Sequence, residues 1–207
     1  MSDTALILES ENYQTAAEVL ARAFQVDPVI GTVLKERSLE ERVRLLTVVF
    51  GAELEKSGPQ NVPLEVSRDG EIVGASLIHS PGGYPTSLSI QAGLLWRGLA
   101  AARSFSAMRR WVKIMNAFAK KHPKDPHYYL EILGVDQSWQ RQGIASRILQ
   151  QLAMWADDEG LGCYLENSNR LNLPLYQRFG FHTTSQEDVM GVPIWFMWRS
   201  PGSGQFN

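Results

Sequence analysis

The chain has 207 residues, of which 44% are hydrophobic and 20% charged, with a formal net charge of −2. That length and apolar content suffice to bury one sizeable core, and the near-neutral balance provides no broad basic field to hold nucleic acid. The single cysteine, Cys163, excludes an internal disulfide and a cysteine-rich metal site, and the four histidines show no ligand spacing. No basic stretch followed by an apolar one opens the chain, and no run approaches the apolar length of a membrane span. The expectation is one cytoplasmic domain over residues 1–207, monomeric or homodimeric, with no membrane, nucleic-acid or metal partner.

Thr4 to Leu8 reads as a first strand and Thr15 to Phe24 as an amphipathic helix, which Asp27 and Pro28 end while starting another. Leu39 to Lys56 is helical again. Leu64 to Ser67 and Ile72 to His79 predict a hairpin across Arg68-Asp69-Gly70-Glu71, since Asp-Gly suits a type I′ turn. Ser80 to Pro85 is a loop. From Ser87 to Lys121 the pattern is helical, broken near Arg103 to Ser106 and stopped by His122-Pro123, which predicts a helical insertion at about residues 87–122. His127 to Val135 is a strand, with Tyr128, Tyr129, Leu130, Ile132, Leu133 and Val135 as its aromatic and branched residues. Gly134 interrupts it, as a bulge, as a close approach of another backbone, or as plain packing.

After Trp139 the period changes. Ile144, Ile148 and Leu152 recur at helical spacing, so a helix runs from about Gly143 to Asp157. A strand at Gly162 to Glu166, a helix from about Leu171 to Phe179, and strands near Phe181 to Glu187 and Val192 to Arg199 complete the chain. No repeat or low-complexity segment interrupts this order. Such a mixture predicts an α+β sandwich around a central, mostly antiparallel sheet.

Between the central strand and the helix lies Gln140-Arg141-Gln142-Gly143-Ile144-Ala145. Gly143 allows close approach of the backbone to a ligand, Ala145 keeps the first turn slim, and the free N–H groups of a helix start attract phosphates. A plain turn uses the same glycine. Gln140, Gly143 and Ala145, following a strand, resemble the Q/R-x-x-G-x-G/A signature for acetyl-CoA of the GNAT superfamily of N-acetyltransferases. Residues 163–181 resemble that family's second motif, a strand and a helix ending in Leu-Tyr-x-x-x-Gly-Phe. Leu165 to Ser168, Asn172 to Tyr176, Arg178 to Phe181, Ala23 to Pro28 and Trp195 to Pro201 are similar to the puromycin N-acetyltransferase-like members, so the resemblance covers nearly the whole chain.

The resemblance implies a three-layer α/β/α sandwich and direct transfer of an acetyl group from acetyl-CoA to a primary amine in a ternary complex, the amine belonging to a small molecule. It implies a bulge at Gly134, backbone groups of Leu133 and Val135 on the pantetheine arm, and N–H groups of Arg141, Gln142, Gly143, Ile144, Ala145 and Ser146 on the pyrophosphate, with Gln140 and Asn172 assisting. Tyr176 matches the family's acid for the leaving thiolate. A phenol of pKa about 10 is a weaker acid than a thiol of about 8.5, so its donation is a strengthening hydrogen bond more than an early transfer. As a plain residue it packs on a helix face beside Leu175.

The amine is the harder partner, because an ammonium of pKa about 10.4 loses its proton at pH 7 at a cost of about 4 to 5 kcal/mol. Glu131 and Glu166 are the candidate bases, and a structural role is open to each. Strict alternation places Glu131 on the face of Leu133 and Val135, which favours it as a base acting through water. Cys163 reads as structural, and His79, His122, His127 and His182, at element ends, as surface or capping groups. The positive run Arg103, Arg109, Arg110, Lys113, Lys120 and Lys121 is either a solvated helix face or a contact for the ribose phosphate. Phe24, Asp27, Pro28, Ile30, the Tyr84 loop and the Trp96 to Trp111 segment would wall the acceptor site, and the net acidity favours cations. A non-catalytic CoA-binding module and an acetyltransferase of protein or peptide amines are the alternatives. A nucleotide-binding loop needs Lys-Ser/Thr after the glycine or G-x-G-x-x-G, and neither follows the strand.

Overall fold

The computed structural model describes residues 4–55, 60–84 and 104–203. Its strands are β1 (Ala5–Ile7), β2 (Asn61–Arg68), β3 (Glu71–His79), β4 (His127–Val135), β5 (Gly162–Asn167), β6 (His182–Val189) and β7 (Val192–Arg199). They form one sheet in the order β1-β2-β3-β4-β5-β7-β6, antiparallel at every junction except the parallel pair β4 and β5. The β2–β3 turn has Asp69 at φ 54° and Gly70 at φ 82°, the positive pair that a type I′ hairpin requires.

Helices α1 (Tyr13–Phe24), α2 (Pro28–Val33), α3 (Leu39–Glu55) and α4 (Phe105–Lys121) cover one face of the sheet. Leu20, Val33, Leu54 and Ile114 pack there against Leu77, Ile132 and Ile194. Helices α5 (Ile144–Asp158) and α6 (Leu173–Arg178) cover the other face, where Ile144, Ile148, Leu152 and Phe179 meet Leu64, Leu130 and Leu165. The result is the expected three-layer α/β/α sandwich. Asp27 starts α2 as foreseen, its Oδ1 accepting from the N–H groups of Val29 and Ile30 at 2.8 and 3.2 Å. Of the expected helix over 87–121, α4 is the described part, while residues 87–103 and Trp96 with them lie outside the described residues.

Two details of β4 differ from strict alternation. Its ladder with β3 passes from Leu77↔Ile132 to Ile78↔Leu130, so the bulged residue is Glu131 and not Gly134. Gly134 pairs in register with Ala75. A Cβ there would stand 2.8 Å from Leu20 Cδ2 and 3.0 Å from Ala23 Cβ, so the glycine serves the close approach of α1. The bulge also turns two consecutive side chains to one face. Glu131 therefore lies on the face of Tyr129 and Ile132, next to the α1–α4 layer, and not with Leu133 and Val135 as alternation required.

The same strand opens the sheet. β4 pairs with β5 only at His127 to Tyr129 with Gly162 to Tyr164. Beyond those residues β4 follows β3 as far as Val135, and β5 follows β7 as far as Asn167, which leaves a gap between the two parallel strands. At the sheet's far end the buried Arg199 donates to both carboxylate oxygens of Asp157 at 2.7 Å and to the Phe179 carbonyl at 3.0 Å, tying β7 to α5 and α6.

Candidate active site

The open gap leads to the start of α5. Arg141 has φ 62° and Gly143 φ 86°, so the loop reaches the helix through two left-handed residues. A Cβ on Gly143 would find nothing within 4 Å, which leaves free space directly above the first turn of the helix. The loop is braced from behind, since Gln140 Nε2 donates to the Val135 carbonyl and Gln142 Nε2 to the Ser138 carbonyl, each at 3.2 Å. Arg68 donates to Gln142 Oε1 at 2.7 Å and its guanidinium lies 5.2 Å from the Trp139 ring centre.

The Asp136 N–H bonds to the Val73 carbonyl of β3 at 2.9 Å. By the alternation of main-chain groups, those of Leu133 and Val135 then point away from β3, toward the gap, where the Val135 carbonyl is already taken by Gln140. Free N–H groups at the start of a 15-residue helix, unpaired strand groups and open space above Gly143 fit the pyrophosphate and pantetheine of CoA. Ile144 is buried under the helix, Ala145 and Ser146 are half-buried, and Arg141, Gln142 and Gly143 are exposed. Asn172 is exposed and its side chain makes no capping bond at the start of α6. Of the positive run, Arg103 lies outside the described residues, and the members on α4 do not reach this place. α4 lies on the opposite face of the sheet, where Arg110 donates to the Val33 carbonyl and pairs with Glu36, and Lys121 pairs with Glu187 at 2.9 Å.

Tyr176 is buried on α6 beside Phe181. Burial holds its phenol well above the ordinary range, and the negative Asp27 adds to the effect, so it keeps its proton. Asp27 belongs to the opposite layer and reaches Tyr176 electrostatically where the strands are splayed. It also accepts from Ser168 Oγ, just after β5, at 2.7 Å. Burial raises the carboxyl of Asp27 in turn, against the hydrogen bonds that lower it.

On the α1–α4 face, Glu131 and Glu166 stand just past the last paired residues, Tyr129 and Tyr164. Glu131 Oε2 meets His79 Nε2 at 2.6 Å. Glu166 sits against the phenols of Tyr129 and Tyr164, and burial pushes its carboxyl up to about 7 while those phenols work the other way and Glu131 adds to the rise. His79 stacks on Tyr129 at 5.4 Å, and Tyr84 meets both of them edge-on. His122 and His127 continue the cluster, 4.9 Å apart between ring centres.

His79 and His127 are thus buried members of an aromatic cluster and His122 a half-buried one, against the expectation of surface groups, while His182 is exposed as foreseen. The missed pairing joins His79 to Glu131, 52 residues apart. No spacing rule connects them, and only the β3–β4 register does. Cys163 is fully buried, and burial pushes its thiol up to about 12, which leaves it structural. Among the described residues no group of three His, Cys, Asp or Glu side chains is placed to hold a metal ion, and no helix is long and apolar enough to cross a membrane.

A mixed sheet splayed at its one parallel junction, with a glycine-led helix start at the mouth, is the fold of the acyl-CoA N-acyltransferases. Residues 32–181 match the Acetyltransferase (GNAT) family, and the chain belongs to it. It is an acetyl-CoA-dependent acyltransferase of the N-acetyltransferase type. An uncharacterised N-acetyltransferase of Schizosaccharomyces pombe is 29% identical over 205 residues, covering 94% of this chain and 82% of the relative. Among solved structures, a Corynebacterium glutamicum protein described as histone acetyltransferase HPA2 and related acetyltransferase superposes with TM-score 0.72 over the full length of both chains at 23% identity. A Thermoplasma acidophilum PaiA N-acetyltransferase in complex with coenzyme A gives 0.57 at 12% identity, over 97% of this chain and 99% of that one. The family is shown by the first match, the fold by the structures.

Proposed function

We propose that the protein acetylates a primary amine of a small molecule by direct attack within a ternary complex, the amine approaching from the α1–α4 face of the gap. The observation that carries this reading is the placement of Glu131 and Glu166, from neighbouring strands, on one face just past the last β4–β5 pair, with Tyr176 buried on the other side. Two carboxylates and an aromatic wall of Tyr84, Tyr129 and Tyr164 favour a cationic, partly apolar amine.

Bound acetyl-CoA supplies the thioester acetyl group. The start of α5 and the free edge of β4 hold it, and Tyr176 donates its proton toward the sulfur as the thiolate leaves. Glu131 takes the proton of the attacking amine through water. Its side chain is 27% exposed, so solvent and substrate reach it. Glu166, half-buried against two phenols, forms the floor of the acceptor site.

The acceptor's identity lies in side chains that the family likeness does not fix. Release of free thiol from acetyl-CoA, followed against aminonucleosides, aminoglycosides, polyamines and peptides, tests the reading. Likeness to the puromycin N-acetyltransferase-like motifs makes aminonucleosides the first arm. Turnover confined to peptides would overturn the small-molecule reading, and stable acetyl-CoA binding with no turnover in any arm would favour a regulatory CoA-binding module.

A further inference from the structure

His79 closes β3 with its side chain 2% exposed, and only one of its ring nitrogens is accounted for inside the protein. Nε2 meets Glu131; Nδ1 is buried with no partner. The ring lines a cavity of about 120 Å3 with Tyr84, His122, His127 and Tyr129, and the exposed Lys124 and Asp125 stand at its mouth. Nε2 of His122 and Nε2 of His127 are also buried there without partners. A polar cavity of this size, edged by three unsatisfied imidazole nitrogens, is a place for several ordered waters.

An ionised carboxylate can only accept hydrogen bonds, so Nε2 of His79 carries the ring proton and Nδ1 presents a lone pair to the cavity. We propose that His79 is a positioning residue for the amine-side base: its Nε2–H holds the Glu131 carboxylate at the bulge, and proton uptake at Nδ1 from cavity water switches that carboxylate off. The proposal rests on the reading of Glu131 as the base. In the step a cavity hydronium gives its proton to Nδ1, the imidazolium forms, water remains, and no other bond changes. Beside the imidazolium, Glu131 loses affinity for the proton of the amine.

The groups facing His79 are Glu131 and Tyr129 from β4, Tyr84 from the loop after β3, His122 after α4, His127 at the start of β4, and Glu166 of β5 behind Tyr129, with Glu53 of α3 acting on Tyr84. Burial holds His122 down to about 4, with His127 and His79 adding to the effect, and burial lowers His127. Burial thus makes both poorer proton acceptors than a free imidazole.

Nitrogen-15 NMR of histidine-labelled full-length protein, without any substrate, tests the pair directly. The expected result is the Nε2–H tautomer for His79 and a protonation midpoint that falls by about one pH unit or more in Glu131→Gln, because the stabilising carboxylate is gone. An Nδ1–H tautomer, or a midpoint unmoved by Glu131→Gln, overturns the proposal. A rate arm uses the first amine that the wild type acetylates. His79→Gln, whose amide still donates to Glu131 but takes up no proton, is expected to keep the KM for acetyl-CoA and to flatten the acid limb of kcat, and a limb parallel to wild type overturns the proposal. If no amine is acetylated, the function reading fails by itself, while the tautomer and midpoint still decide the pairing.

Discussion

On the α5 face of the sheet the gap is edged by backbone: N–H groups of a helix start, a glycine at φ 86° with open space above it, and the free edge of β4. On the α1–α4 face it is edged by side chains brought from β3, β4, β5 and the segments flanking α4, including Glu131, Glu166, His79, Tyr84 and Tyr129. The first kind of site binds a phosphate whatever the surrounding side chains are, and a short local motif encodes it. The second depends on sheet register and on packing, and its chemistry changes with single residues. On the proposed reading, the first side holds the cofactor and the second selects the amine.

The sharpest break of the cofactor side is Gly143→Val. A branched residue is strained at φ 86° and fills the open space. Acetyl-CoA affinity measured by calorimetry is expected to fall by roughly 10²- to 10³-fold in a folded protein, since several charge-assisted contacts go together. Unchanged affinity would mean that the pyrophosphate does not lie there.

Tyr176→Phe probes the junction of the two sides. Turnover should drop by roughly 10²-fold with acetyl-CoA affinity nearly unchanged, because only the late donation to sulfur is lost. Wild-type turnover in this variant would leave Tyr176 as packing.

The acceptor side separates into its two carboxylates. Glu131→Gln should lower kcat by roughly 10²-fold near neutral pH, and less as pH rises toward the amine's own pKa of about 10, where free amine is abundant. A pH–rate profile parallel to wild type would remove Glu131 from the reaction.

Glu166→Gln should instead alter stability. The native carboxyl is raised from 4.5 to about 7, so between those values the folded state binds more protons than the unfolded one, and wild-type stability falls as pH rises through that window. The glutamine variant removes this loss, worth on the order of 2 to 3 kcal/mol. Denaturant unfolding from pH 4 to 8 measures it, and equal pH slopes in the two proteins would show Glu166 to be solvated.

The smallest effect belongs to the shared strand. Gly134→Ala drives a methyl against Leu20 and Ala23 of α1 and should cost about 1 to 2 kcal/mol, read as a lower Tm with acetyl-CoA affinity kept in the folded protein. Loss of affinity without loss of stability would place Gly134 in the cofactor site instead.

The sequence by itself determined the strands and helices of the described residues to within a few positions, the Asp69-Gly70 turn, the loop around Gly143 and the motif around Tyr176, because local period, turn chemistry and short motifs record such features. It also put Glu131 and Glu166 forward as carboxylates in apolar strands. Only the tertiary structure decided which way they face. A one-residue bulge inverts the alternation from which a side is read, so Glu131 joined Tyr129 instead of Leu133, and the glycine that suggested the bulge proved to be room for a helix. The partnership of His79 with Glu131 has no local trace, since it follows from β3 and β4 being neighbours in the sheet. Backbone geometry is written in neighbouring residues, whereas side-chain clusters are made by chain segments that meet only when the sheet has formed.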